Sequence, residues 1–451
     1  MFVFSQENKP NIIWLVCEDQ SAQFFPMYGD KTVSLPHLEK LAEDSVLFEN
    51  MHATTPVCAP ARSAIITGMY PTSLGTHNMR TYNEGRKTNQ PQLGIPSYSP
   101  KFPNYIKPFT VYLREEGYYC TNSNKQDYNF EITSDAWDQS CRYCQGEEKE
   151  NIHWRKRDAD QPFFAVFNFQ ITHESQIWKQ QEVFFDPKDI EFIPPYFPDD
   201  PVIRRDMATN YSNLVRMDKE VGEIISDLKE QGLYDDAYIF FYSDHGGPFP
   251  RHKRAIYQTG TKVPFFVKFP KSLHAGKKDD RLLSFVDLAP SVLQMAGIEI
   301  PMHMQGKPIS KFLHKSLRDY LITASDRFDG QYDRIRAIQD KRFKLIRSFY
   351  LDKSHHLDVH YRKNMPMMQK LLKLHVDGQL NQDQQKWFGL KEEYEFYDLQ
   401  TDPYEMKNQI HNPDYQDRIQ LLKVELEKWM LNTNDLGAVP EQVLIKQATS
   451  N

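Results

Sequence analysis

The run Asn11-Ile-Ile-Trp-Leu-Val-Cys17 is preceded by Pro10 and followed at once by the acidic pair Glu18-Asp19. It is strand-length and apolar without alternation, the pattern of a strand covered on both faces. The two carboxylates then stand just past the strand's carboxyl end. Similar runs recur at Phe163–Phe169 (FFAVFNF), Tyr238–Tyr242 (YIFFY) and Val263–Phe269. Between them lie helical patterns: Leu38, Leu41 and Ala42 after Pro36, and the stripe Tyr211, Leu214, Val221, Ile224, Ile225, Leu228 stopped by Gly232. Asp287 to Gly297 reads as a further helix with an acidic cap and a glycine stop. Strands alternating with amphipathic helices predict an α/β fold with a large, mostly parallel sheet sandwiched by helices. Such sheets bind ligands outside the carboxyl ends of their strands.

Past residue 315 the texture changes. Tyr320–Ala324, Arg334–Ile338 and Phe343–Ser348 read as antiparallel strands, and Tyr415, Ile419, Leu422, Leu426 and Trp429 mark a closing helix. Asn364–Leu374 reads as an amphipathic covering helix. The predicted division is therefore 10–314 for a catalytic unit and 315–451 for a smaller α+β domain packed on it.

Composition narrows the function. The 451 residues carry 55 basic and 61 acidic side chains, a net charge of −6. This excludes a nucleic-acid binder that relies on diffuse positive charge, so any anion site is a local constellation. Five cysteines are too few for a disulfide framework, and the lone pair Cys141/Cys144 lacks the partners of a zinc ribbon, leaving a local disulfide or free thiols. No apolar run approaches the ~20 residues of a membrane span. The start, Met1 to Pro10, lacks a charged n-region and reads at most as the remnant of a signal peptide, consistent with a periplasmic or secreted protein.

The densest chemical signal is Pro56-Val-Cys58-Ala-Pro60-Ala-Arg62-Ser63. A cysteine near an arginine at the start of a helix is a candidate anionic nucleophile, because cation and helix dipole both favour negative charge there. A buried cysteine in a turn is the plainer reading of the same residues. In chain order, Glu18-Asp19, Leu35-Pro36-His37-Leu38, Cys58 to Arg62, Tyr242-Ser-Asp244-His245-Gly246-Gly247, Tyr257 to Pro264 and Tyr394 to Asn408 together resemble the formylglycine-dependent sulfatase family. Pro195 to Pro198, Arg216-Met-Asp218 and Gly247 to Pro250 look most like its sulfamidase-related branch.

The resemblance implies an alkaline-phosphatase-like fold and a cysteine, Cys58, oxidised to formylglycine (3-oxoalanine) by a formylglycine-generating or sulfatase-maturing enzyme. It implies one divalent cation, Ca2+ before Mg2+, held by Glu18, Asp19, Asp244, His245 and residue 58. Glu18 stands where relatives carry aspartate. Arg62, Lys125, Lys253 and His173 are implied as the groups that act on sulfate, with His173 as candidate proton donor to the leaving oxygen. Relatives carry a histidine where Asp127 stands, so Asp127 and His77 are the substitutes for a residue assisting collapse of the intermediate. His77, Arg80, Asp127 and His252 are the candidate substrate contacts. The expected function is hydrolysis of sulfate esters on a carbohydrate, exo-acting, with ulvan, fucoidan or a glycosaminoglycan as candidate source. The rivals are an N-sulfoglucosamine sulfohydrolase, a phosphodiesterase or phosphonate hydrolase, and a glycan-binding protein whose Cys58 is never converted.

Overall fold

Ile12–Cys17 forms the middle of a mixed sheet, and all six of its residues are buried. Ile12, Trp14 and Val16 enter one apolar core, while Ile13, Leu15 and Cys17 enter the other, so the period-2 alternation of a strand puts hydrophobic residues on both faces. Phe163–Phe169 and Tyr238–Ser243 flank it in parallel. The sheet has nine strands. In spatial order they run Lys278–Ser284, Val46–His52, Phe265–Lys268, Tyr238–Ser243, Ile12–Cys17, Phe163–Phe169, Tyr119–Ser123 and Gln139–Ser140, with Lys262–Val263 beside Val46–His52. The single strand expected over Val263–Phe269 is broken at Pro264, which lacks the N–H a ladder needs, and Phe265–Lys268 runs antiparallel to both neighbours.

The computed structural model describes residues 9–82, 88–90, 95–141, 144, 152–180, 182–309 and 316–450. The N-terminal stretch up to Asn8 and the expected 314/315 boundary lie outside these residues.

The long helix Pro201–Glu230 covers one face, its N-terminus capped by Asp200, whose carboxylate accepts from Val202 N at 2.9 Å. Asp287 does cap, but by closing a capping box with Ser284 one turn earlier than expected. A second, antiparallel sheet joins Leu321–Ser325, Ile335–Gln339, Phe343–Ser348 and Tyr394–Asp398. The helix Gln416–Asn432 buries Ile419, Leu422 and Leu426 in a core that also holds Trp14, Ile338 and Phe396, so the two sheets share one apolar interior. Polar ties reinforce it around residues 246–257: Arg251 donates to the carbonyls of Tyr404 (2.8 Å) and Glu405 (2.9 Å). The Glu405 carboxylate in turn accepts from Gln258 N at 2.6 Å and pairs with Lys344 at 2.7 Å. Cys141 and Cys144 form a disulfide beside the loop that follows Tyr119–Ser123.

Candidate active site

Four adjacent strands deliver their carboxyl-end residues to one place. Ile12–Cys17 leads into Glu18 and Asp19, Tyr238–Ser243 into Asp244 and His245, Phe163–Phe169 into His173 and Glu174, and Tyr119–Ser123 into Lys125. The helix Cys58–Thr67 points its N-terminus at them, with Cys58 as its first residue and Arg62 one turn further in. Every residue of that helix is buried.

Cys58 Sγ lies 3.2 Å from His245 Nε2 and 3.8 Å from Asp19 Oδ1. Asp19 is held from several sides. Its Oδ1 is 2.9 Å from His245 Nε2, and its Oδ2 accepts from Lys253 Nζ and from Glu174 N, both at 2.7 Å. Asp19 also holds a left-handed backbone (φ +55°), a strained geometry of the kind that gathers at functional sites. Lys125 Nζ meets Glu18 Oε2 at 2.7 Å. Arg62 spans the centre, Nε on Asp244 (2.9 Å) and Nη1 on Asn168 Oδ1 (2.8 Å). Lys253 also reaches Glu174 (3.1 Å) and His173 Nε2 (3.3 Å), and Arg254 chelates Glu174 through both terminal nitrogens at 2.9 and 2.7 Å.

Burial drives the electrostatics. It opposes every charge here, but for the stronger pairs the partners win: Arg62 and His245 hold Asp244 below the usual carboxylate range, and Lys253 does the same for Asp19. Glu18 goes the other way, raised chiefly by burial. His245 is pushed up to about 10: burial lowers it, but Asp244 leads the groups that outweigh burial. The carboxylates thus draw positive charge even onto an imidazole. One buried carboxylate oxygen, Glu18 Oε1, has no hydrogen-bond partner. Asp19, Cys58, Asp244 and His245 present ligand atoms within 4.8 Å of one another, and so do Glu18, Asp19 and His173. The orphan oxygen, the hard-oxygen donor set and the demand for cationic charge all fit a divalent cation.

The structure therefore brings Glu18, Asp19, Cys58, Arg62, Lys125, His173, Asp244, His245 and Lys253 together. Arg80 and Asp127 form a pair 4.0 Å apart, Arg80 a third exposed. His252, one of the candidate substrate contacts, is enclosed by aromatic side chains. It is fully buried, stacked between Phe24 and Phe197, and its Nε2 lies 2.9 Å from the Tyr196 hydroxyl. Arg251 and Arg254 adopt left-handed backbone (φ +59° and +69°), so neighbours in this basic run face different surroundings. His77 is also buried, and its charged neighbours are Asp326, Arg336, Asp435 and Glu441. No hydrogen bond or ion pair among the described residues ties it to the centre.

For His173, burial first and then Lys253 lower the pKa to about 3, so the neutral ring faces the centre. Ser175 N donates to its Nδ1 at 3.2 Å, which leaves Nε2 to face the reacting groups. Residue-by-residue reading missed Glu174 and Asn168. Asn168 is the one polar residue inside FFAVFNF, and Glu174 directly follows His173; both positions carried a signal.

The fold and this cluster gather a buried cysteine at a helix N-terminus, four cationic side chains and a carboxylate-rich set of ligand atoms at the carboxyl ends of the large sheet. A sulfatase family model matches residues 10–298, and a model of the C-terminal part of N-sulphoglucosamine sulphohydrolase matches residues 249–373. The chain is 40% identical to an ulvan-active sulfatase of Formosa agariphila, over 97% of this chain and 78% of the relative. It is 24% identical to human N-sulphoglucosamine sulphohydrolase, over 95% and 91% of the two chains. A solved structure in complex with D-glucosamine-2-N,6-O-disulfate shares the fold, with TM-score 0.66 at 16% identity over 96% of this chain and all of that one. The chain belongs to the sulfatase family and is a sulfuric ester hydrolase.

Proposed function

We propose that this protein is an exo-acting sulfatase that removes sulfate from oligosaccharides of an algal polysaccharide such as ulvan. The observation that carries this is the setting of Cys58: a helix N-terminus, His245 and Asp19 within 4 Å, and Lys125 and Lys253 held on the neighbouring carboxylates. The 40% identity to an ulvan-active sulfatase supports the substrate source. Glu18, Asp19, Asp244 and His245 would hold the divalent cation, Ca2+ in preference to Mg2+ because flexible carboxylates suit its larger, less strictly octahedral shell.

When bound, the cation would polarise a sulfate oxygen and ease ionisation of the nucleophile, and residue 58, once converted to formylglycine, would supply the hydroxyls for attack on sulfur and for release of sulfate. The chain's own residues do the rest. Arg62 and the helix N-terminus neutralise negative charge at position 58. Lys125, paired with Glu18, and Lys253, paired with Asp19, fix the sulfate oxygens. His173 presents Nε2 to the leaving oxygen, where negative charge developing on the substrate favours its protonated form. Ser175 keeps the ring turned that way. A formylglycine-generating or sulfatase-maturing enzyme is the partner that converts Cys58. Periplasmic or secreted location follows from a polysaccharide substrate and accords with the Cys141–Cys144 disulfide.

Intact-mass analysis of the peptide around Cys58, from protein made in a host with the maturing enzyme, is expected to show the lighter aldehyde form. Sulfate release from ulvan oligosaccharides is expected only from that form. Activity with an unmodified thiol overturns the assignment of the nucleophile. The match to the N-sulphoglucosamine sulphohydrolase C-terminal model favours one second reading, cleavage of an N-sulfate. Faster release from N-sulfated glucosamine than from any O-sulfated sugar would establish it.

A further inference from the structure

Next to the catalytic cluster, Arg80 (φ +53°) and Asp127 (φ +51°) hold left-handed backbone without being glycine. Such residues persist only where their surroundings over-determine them. Here the surroundings are Asn129, itself left-handed and buried. Its Oδ1 accepts from Thr81 N at 2.7 Å, its Nδ2 donates to the carbonyls of Thr76 and Asn78 at 2.6 Å, and its carbonyl accepts from Thr81 Oγ1 at 2.7 Å. The loops carrying Arg80 and Asp127 are thereby locked into one unit, with Arg80 Nη2 4.0 Å from Asp127 Oδ2.

A third group comes from far along the chain. Tyr361 is 37% exposed, packs edge-on against Trp178 with ring centroids 5.4 Å apart, and lies 6.0 Å from the Arg254 guanidinium. The charged groups that act on its hydroxyl are Glu174, Lys253, Arg80 and Arg254. Through Arg254, which chelates Glu174 beside Lys253, Tyr361 borders the catalytic cluster, and Arg80 is among the charges that act on it. An aromatic face beside Arg254 and a donor–acceptor pair two residues from Lys125 thus both border the cluster.

We propose that Arg80, Asp127 and Tyr361 form a sugar subsite that reads free hydroxyls flanking the scissile sulfate. Asp127 accepts from one hydroxyl, Arg80 donates to another, and the pyranose ring lies along Tyr361. Asp127 beside Arg80 is what selects hydroxyls over a second acidic group, since an anion placed there meets a carboxylate. The substrate class is a pyranose whose sulfate is flanked by unsubstituted hydroxyls. This rests on the sulfatase reading above.

The test is a panel of methyl pyranoside monosulfates with their deoxy analogues at the flanking positions and the corresponding disulfates, scored by sulfate release. Sites built around a substrate hydroxyl reject the analogue that lacks it, here by about tenfold or more in kcat/KM. Arg80→Gln and Asp127→Asn are expected to bring that ratio to within about threefold, acting mainly through KM. Tyr361→Phe keeps the ratio, and Tyr361→Ala raises KM for every sugar. A wild-type ratio near one, a ratio unchanged in both polar variants, preference for the disulfates, or an Asp127→Asn loss wholly in kcat overturns the proposal. Failure of the sulfatase reading shows itself separately, as no sulfate released even from an aryl sulfate. In that event calorimetry on the Cys58→Ala protein still decides: tighter binding of the parent sugar sulfate than of its deoxy analogue supports the subsite, and equal binding overturns it.

Discussion

Two buried ionic networks use the same side-chain types to different ends. Where the second sheet meets the C-terminal segment, Arg336 takes Asp326 with Nη1 (3.0 and 3.1 Å) and Asp435 with Nε and Nη2 (both 2.7 Å). Arg327 chelates Glu441 at 2.7 and 2.8 Å, and the same carboxylate accepts from the hydroxyls of Tyr98 (3.0 Å) and Tyr332 (2.6 Å). None of these guanidinium or carboxylate atoms is left without a partner. At the carboxyl ends of the large sheet, by contrast, the pairing is looser: Glu18 Oε1 and Arg62 Nη2 make no hydrogen bond and face each other at 3.7 Å, and Arg254 Nε lies 3.8 Å from Asp329. Both networks have met the cost of leaving water. One has satisfied its groups with short hydrogen bonds and holds structure; the other leaves part of its hydrogen-bonding capacity unused, as the proposed binding of a cation and a sulfate requires.

The largest expected effect lies in the open network. Lys253→Ala removes a charge aimed at the sulfate and should lower kcat/KM by ~10³-fold or more, while the melting temperature changes less than for any break in the closed network. Steady-state kinetics beside thermal melts check this. Next, Glu441→Ala strands Arg327 in the interior and should cost about 3–5 kcal/mol of stability, with kcat per folded molecule kept. If Lys253→Ala destabilises more than Glu441→Ala, the contrast between the networks is broken. Third, removing divalent cation with a chelator should abolish turnover and also lower the melting point, because a ligand at a hundred times its Kd stabilises by about 2.7 kcal/mol. Ca2+ should restore both, and Glu18→Gln should raise the Ca2+ concentration that restoration needs. An unmoved melting point would show that no cation binds there.

The smallest effect concerns a carboxylate in neither network. Asp206, on Pro201–Glu230, accepts from Met367 N at 2.7 Å, and its pKa is pushed up to about 7, chiefly by burial. The folded state therefore binds its proton more tightly than the unfolded chain does. The stability this contributes is present below the ordinary carboxylate value and is lost as pH rises through about 7. Asp206→Asn should flatten the fall in melting temperature between pH 5 and pH 8 by about 2 °C. Parallel slopes for the two proteins would remove Asp206 from the pH response.

The parts legible in the sequence were those in which chain order and spatial order coincide. A buried strand announces itself by composition, and the next residues along the chain stand at its carboxyl end, so Glu18-Asp19 and Asp244-His245 read directly as neighbours across the sheet. Cys58 and Arg62 share one helical turn, which fixes their relation locally. The aromatic surroundings of His252 were not legible because the basic run around it is neither helix nor strand. With left-handed backbone at Arg251 and Arg254, no periodicity says which side chain faces where. Glu174 was missed for a related reason: its importance lies in the chelating contact with Arg254, which only the folded arrangement reveals. The closed network was equally hidden, since Arg336 and Asp435 are 99 positions apart and Arg327 and Glu441 are 114. A buried arginine looks like a solvated one until its partners arrive.

The ties from Arg251 to the carbonyls of Tyr404 and Glu405, and from Glu405 to Gln258 and Lys344, bear on how such enzymes diversify. Lys253 stands two residues from Arg251, so the backbone that carries the lysine held on Asp19 and Glu174 is braced by a segment some 150 positions downstream. The small sheet and its surroundings are not a detachable cassette. Grafting residues 316–450 from a distant relative onto this large sheet would change the seat of Lys253 even if no catalytic residue were altered. Recombining whole segments among such chains therefore disturbs the site in a way that varying a single surface loop does not.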